Sequence, residues 1–259
     1  MNSPAPSAVL HRPGVRAVGI AQPLRWLALG WADFMRCPLP GLLHGLVVAA
    51  FGALLLTLAR DRFWLLAGAF SGFLLVAPVL ATGLYAVSRA LQKGQPASMA
   101  TAFGAWRPNN GRLVLFGLLL AFAGTGWVLT SASLITRFAG AAVHNPQDFL
   151  RVVVLAQHGH LFEWWLALGS ALAAPIFAST VVAVPLLMDR DIGVRAAVLT
   201  SARAALLNPL PMALWATLIL VITLLGMATL LVGLVVAVPW LAHASWHAYR
   251  DLVDVEGSR

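Results

Sequence analysis

The sequence is poor in the groups that keep a folded protein in water. Only 10% of its 259 residues are charged while 60% are apolar, against about a quarter charged in an ordinary soluble domain. That scarcity excludes a soluble enzyme, and equally a disordered tail solvated by its own charge. Lysine occurs once, as Lys93, so sixteen of the 17 basic residues are arginines. They stand between apolar runs rather than in one patch. The formal net charge of +8 therefore reads as membrane topogenesis, with anionic lipid headgroups as a secondary partner and no nucleic acid. Cysteine also occurs once, as Cys37, which excludes an intrachain disulfide. Residues 1–22 hold no apolar run long enough for a signal-peptide core and are expected to be a flexible tail, followed by a membrane domain over 23–253 and a short tail over 254–259.

What is abundant is long apolar sequence. A hydrocarbon core of about 30 Å takes about 20 helical residues, and the stretches 39–58, 63–87, 113–135 and 164–188 each satisfy it. A fifth region, 209–249, runs without a charged side chain. As one helix it would extend about 61 Å at 1.5 Å per residue, so it must reverse, and Gly226 and Gly233 mark the expected turn. Six spans follow. With the amino terminus inside, thirteen Lys or Arg residues fall on the cytoplasmic side, against four outside: Arg60, Arg62, Arg137 and Arg151. Five spans would make that division eleven against six, so the positive-inside rule selects six spans with both termini cytoplasmic.

Three polar-flanked segments keep a helical period: Leu24 to Met35, Met99 to Trp106 and Val194 to Leu206. Each precedes a span, and each is expected to lie in the headgroup plane or against the bundle. Cys37-Pro38-Leu39-Pro40 and Asn208-Pro209-Leu210-Pro211 open the first and fifth spans alike, and Arg107-Pro108 opens the third. Pro78 stands eleven residues before Arg89, as Pro239 does before Arg250. The chain thus reads as all-α: a polytopic membrane bundle of six transmembrane helices, built as three tandem, parallel hairpins with short in-plane amphipathic helices.

Gly72-Phe73 through Pro78, Leu80-Ala81, Gly83-Leu84-Tyr85, Ser88-Arg89, Asp189-Arg190-Asp191 and Trp246 through Leu252 resemble a bacterial integral membrane family known as domain of unknown function 2189. The resemblance extends over residues 23–253. It implies an inner-membrane location and brings no activity, catalytic residue or cofactor.

No Asp, Glu, Lys or Arg lies within an apolar stretch, which speaks against a proton relay or charged-substrate path. Phosphate-loop, zinc-protease and nucleophile-elbow patterns are absent too. His44, His243 and His247 are the candidate haem or metal ligands, with interhelical hydrogen bonding as the alternative. The outer loop gathers His144, Asp148, His158, His160 and Glu163 without a standard metal spacing. Asp189 and Asp191 fit either Mg²⁺ binding or a helix cap at the next segment. Tyr85, Arg89, Tyr249, Arg250, Trp31, Trp106 and Asp189 suit the membrane interface. Gly41 and Gly45 pair with Gly68 and Gly72 as faces for close packing of the first two spans; Pro78, Pro175, Pro185 and Pro239 are expected bends. Three functions are compatible with these residues. The first is a non-enzymatic scaffold or assembly factor acting on lipid, another membrane protein or its own copies. The second is a permease or channel for a small neutral or apolar molecule, and the third a haem- or metal-binding protein.

Overall fold

The structure, a computed structural model, describes residues 13–58, 80–105, 111–156 and 159–254. Of the residues singled out above, Arg60, Arg62, Gly68, Gly72, Phe73, Pro78, Trp106, Arg107, Pro108 and His158 lie outside this set, as does most of the 63–87 stretch. The described chain is helical apart from one two-stranded ribbon. Strand β1 (Gly14–Val15) precedes α1 (Gln22–Arg36) and α2 (Pro38–Leu58); α3 covers 80–92 and α4 Met99–Gly104. Next come α5 (Gly111–Phe138), α6 (Pro146–Phe149) with a single π-helical turn, α7 (Leu161–Thr180), α8 (Ala183–Asp189) and α9 (Val194–Leu207). Helices α10 (Pro209–Ala228) and α11 (Leu234–Leu252) and strand β2 (Val253–Asp254) complete it.

Four helical segments among the described residues are long and apolar enough to cross a membrane: α2, α5, α7 with α8, and α10. Such helices satisfy their own backbone hydrogen bonds, the condition for residing in hydrocarbon. Pro185 breaks the third segment. It has no N–H for the carbonyl four residues earlier and its ring crowds that carbonyl; α7 accordingly stops at Thr180 and α8 resumes at Ala183. The Val182 N–H is recovered by Ser201 Oγ at 3.2 Å. Pro175 and Pro239, by contrast, sit inside continuous helices.

The chain does reverse between α10 and α11, but the glycines do not supply the left-handed backbone. Leu230 (φ 54°) and Leu231 (φ 69°) do, whereas Gly233 has φ −62°. What the glycines provide is proximity: a Cβ on Gly233 would stand 2.9 Å from Gly226 Cα.

Burial is concentrated on α3, α8 and α11. Helix α11 buries eleven of its 19 residues, and Trp26, Leu84, Leu186, Leu187, Trp215, Trp246 and Tyr249 form the core around it. The α10 helix buries four of 20. Helix α7 buries none.

The first described residues are not loose. β1 pairs antiparallel with β2, Val15 opposite Val253, and the Val18 N–H donates to Asn208 Oδ1 at 2.8 Å. Arg16 N–H reaches Leu252 O at 2.9 Å. Backbone pairing, which composition does not register, holds the chain from Gly14.

Candidate functional site

Helix α11 carries a row of polar side chains that tie it to α1 and α3. Trp240 Nε1 donates to Leu27 O at 2.8 Å. His243 Nδ1 lies 2.7 Å from Ser88 Oγ of α3, and Trp246 Nε1 donates to Gln92 Oε1 at 3.2 Å. Contacts from residues 88 and 92 to 243 and 246, one turn apart, mean that α3 and α11 run side by side in the same direction. His247 Nε2 is 2.8 Å from Asp33 Oδ2 of α1. Asp251 Oδ2 accepts from Gln22 Nε2 at 2.6 Å and from Trp26 Nε1 at 2.8 Å.

The row ends in a three-helix junction. Asp189 on α8 accepts from the Tyr249 hydroxyl at 2.8 Å and pairs with Arg89 of α3 at 3.4 Å. One carboxylate thus joins α3, α8 and α11. Arg112 of α5 pairs with Asp191 and donates to Ile192 O at 2.9 Å. Asp191 therefore does not cap α9, whose N-terminal boundary residue is Gly193 and carries no side-chain cap.

The three histidines of α2 and α11 do not present a ligand set. His44 Nδ1 contacts Pro40 O of its own helix at 2.6 Å, His243 faces Ser88 and His247 faces Asp33. Asp33, His247 and His44 lie close enough to act electrostatically on His243. Yet among the described residues no three His, Cys, Asp or Glu side chains are gathered as a metal ion requires. The Ser88–His243 contact has the spacing of an activated hydroxyl, but both residues are fully buried. Its local role is to join two helices. His243 Nε2 is buried without a hydrogen-bond partner among the described residues.

The interface residues divide. Trp31 is 40% exposed on the outer side of α1, with its ring edge on Trp240 at 5.3 Å. Tyr85 and Tyr249 are buried, so neither phenol presents itself to headgroups; Tyr249 is an interior donor. Arg250 offers its carbonyl to Arg16 Nη2 at 2.8 Å, and its own Nε is buried without a hydrogen-bond partner among the described residues. Burial pushes the Cys37 thiol up, and Sγ donates to Ala97 O at 3.4 Å.

Gly41 and Gly45 face α11. A Cβ on Gly45 would collide with the Val235 backbone, and one on Gly41 would meet Phe34 at 2.8 Å and Pro239 at 3.0 Å. The described partner of this glycine face is thus α11, where the periodicity suggested the second span. Spacing identifies a packing face and is silent about what packs on it. Gly30 belongs to the same system and escaped the sequence reading: its Cβ would stand 2.5 Å from Ala244 N. Asp33, Asn208 and Ser201 were missed too. Each looks in sequence like a residue of a polar face. Asn208, 2% exposed, in fact clamps Arg16 O and Ala204 O at 3.0 and 2.9 Å.

On the outer loop, Asp148 accepts from His144 N–H at 3.1 Å, and His160 lies 3.5 Å from Glu163. The apolar side of this loop, Val143 and Val153 with Phe149 and Trp165, packs on Ile135. Between α5 and α7 run two apolar cavities. One, about 370 Å³, lies between Leu120 and Phe177; the other, about 670 Å³, lies beside Phe138 and Trp164.

Neither a curated protein nor a solved structure matches the chain. Residues 65–189 match the model of a family described as predicted integral membrane protein, DUF2189. That segment includes α3, the third apolar segment and the Arg89 and Asp189 ends of the junction. Over residues 65–189 the chain is thus similar to a family of predicted integral membrane proteins of unknown function.

Proposed function

We propose that the protein is a non-enzymatic component of the bacterial inner membrane, crossing it six times as three parallel tandem hairpins with both termini cytoplasmic. It acts as a scaffold or assembly factor through contacts with lipid, another membrane protein or a second copy. The observation that carries this reading is how the polar groups are distributed. The carboxylates of Asp33, Asp189 and Asp251 are occupied by His247, Arg89, Tyr249, Gln22 and Trp26. The outward surface of α5, α7 and α10 is left apolar. A surface of that kind binds through packing and lipid displacement rather than chemistry.

The topology has separate support. β1 and β2 hold residues 14–15 against 253–254, so the chain between them crosses an even number of times. The parallel run of α3 and α11 agrees with tandem units of one orientation. Each unit would then be a short helix and two long ones: α1 with α2 and α3, α4 with α5 and α7–α8, α9 with α10 and α11.

The test is photo-crosslinking in membranes from Trp164, 70% exposed, and Leu220, 57% exposed. The reading expects a discrete protein adduct, or a second copy, at one of these positions. Lipid adducts alone at both, together with a purified monomer that retains no lipid, would overturn it.

The cavities between α5 and α7 favour a second reading, a lateral route for a small apolar molecule. Thr180 contributes a hydroxyl to the lining of the 370 Å³ cavity. Ala173→Phe would fill that space; uptake of an apolar dye into proteoliposomes should then fall, and unchanged uptake would remove the reading. A haem or metal role finds no gathered ligand set among the described residues.

A further inference from the structure

Three short helices, α1, α9 and α4, each lie against a neighbouring helix, and the three seams differ. Where α1 crosses α11, Gly30 brings the backbones together so closely that a Cβ would stand 2.5 Å from Ala244 N. Where α9 meets α7 and α8, Ser201 closes the seam, donating to Ala178 O at 2.7 Å and accepting from Val182 N at 3.2 Å. The seam between α4 and α3 stays open as a pocket of about 260 Å³.

The lining of that pocket has one chemical character. Arg89 of α3 and Lys93, one turn on and just past its end, enter it with Gln95 and Thr101, while Met188 and small residues supply the rest. All four polar side chains can donate hydrogen bonds, and no carboxylate lines it among the described residues. Asp189 holds Arg89 from outside the pocket at 3.4 Å, fixing one donor and leaving the positive charge of Lys93 uncompensated within the lining. The pocket lies at the end of the bundle where Arg16, Arg112, Arg190 and Arg250 also gather. A compact cavity with a fixed guanidinium, an exposed ammonium, two neutral donors and an apolar wall matches a phosphate group carrying a short organic substituent.

We propose that the α3–α4 pocket binds a phosphate-bearing anion through Arg89 and Lys93, with Gln95 and Thr101 as neutral donors. Two sources share that chemistry: the headgroup of an anionic phospholipid, and soluble phosphate. The site stands apart from the scaffold reading, because loss of every lateral partner would leave it intact.

The experiment titrates full-length protein in neutral detergent with phosphatidylglycerol and counts bound lipid by native mass spectrometry, with and without millimolar inorganic phosphate. Lys93 is exposed, so its replacement should not disturb the fold. One interfacial cation contributes about a fivefold change in affinity. Lys93→Gln is expected to weaken binding by about that factor and Lys93→Arg to restore it. Arg137→Gln, which removes the same charge from the last turn of α5, is expected to change nothing. Competition by phosphate would assign the pocket to a soluble anion; lipid binding indifferent to phosphate would assign it to the headgroup. Equal affinity of Lys93→Gln and the unaltered protein overturns the proposal, as does equal weakening by Arg137→Gln.

Discussion

Helices α10 and α11 are consecutive, similar in length and joined by five residues, yet they occupy opposite environments. Helix α10 is apolar throughout and buries four residues; α11 contains two histidines, a serine, an arginine and an aspartate and buries eleven. Only α10 is among the four segments apolar enough to be recognised as membrane-crossing by composition. Hydropathy thus finds the helices that face lipid and passes over the one at the centre. A helix surrounded by other helices can carry polar side chains because its neighbours satisfy them, and those side chains then determine which neighbour goes where.

The contrast is tested most severely by overpacking. Gly30→Val should be the most damaging substitution, since its Cβ meets the backbone of Ala244 and backbone cannot give way as a side-chain tip can. We expect loss of a monodisperse peak in size-exclusion chromatography. Gly126→Val, on α5 with nothing within 4 Å of its Cβ, should elute as the unaltered protein does.

Next in size is the aromatic contact that links α10 to the centre. Trp215 is fully buried with its ring edge on Trp26 at 5.7 Å, and Trp215→Ala should cost about 3–5 kcal/mol. Leu220→Ala, one turn and a half away on the lipid side, should leave the thermal midpoint almost unmoved. Equal losses at the two positions would mean that α10 has no distinct inner face.

Asp33→Ala should cost about 1–3 kcal/mol, because it leaves the partly buried His247 without its partner. The double change Asp33→Leu with His247→Leu should recover part of that loss, as expected where removal of both partners is milder than removal of one. A double variant less stable than either single one would show that the pair does not act as a unit.

The smallest effect is a gain. Leu230 has φ 54° and is 89% exposed, so Leu230→Gly should relieve about 1 kcal/mol of backbone strain, seen as a modest rise in thermal midpoint. A fall would mean that the leucine side chain contributes more in the turn than its conformation costs.

Much of this fold was legible beforehand, for identifiable reasons. The apolar lengths gave α2, α5, α7–α8 and α10, and the excess length of 209–249 required the reversal now seen after Ala228. The three short helices followed from their period of 3.6. What did not follow was who meets whom. Gly45 announced a close approach and could not say that Val235 would be opposite. Asp33 carried no signal of its role, because helical periodicity places residues around a wheel without saying what surrounds it. Turn chemistry misled in a different way: glycine permits a left-handed backbone, but two leucines adopt it here while the glycines serve contact. The ribbon between β1 and β2, two residues to a strand, is too short for any periodic signal.

The central claim is that α11, despite its polar side chains, crosses the membrane and returns the chain to the side where α1 begins. With Cys37 replaced by serine, a single cysteine at position 230 or 254 is treated with a membrane-impermeant maleimide in intact cells. The account predicts that Leu230→Cys is labelled at once and Asp254→Cys only after permeabilisation. Labelling of Asp254→Cys in intact cells, to the same extent as Leu230→Cys, would contradict it.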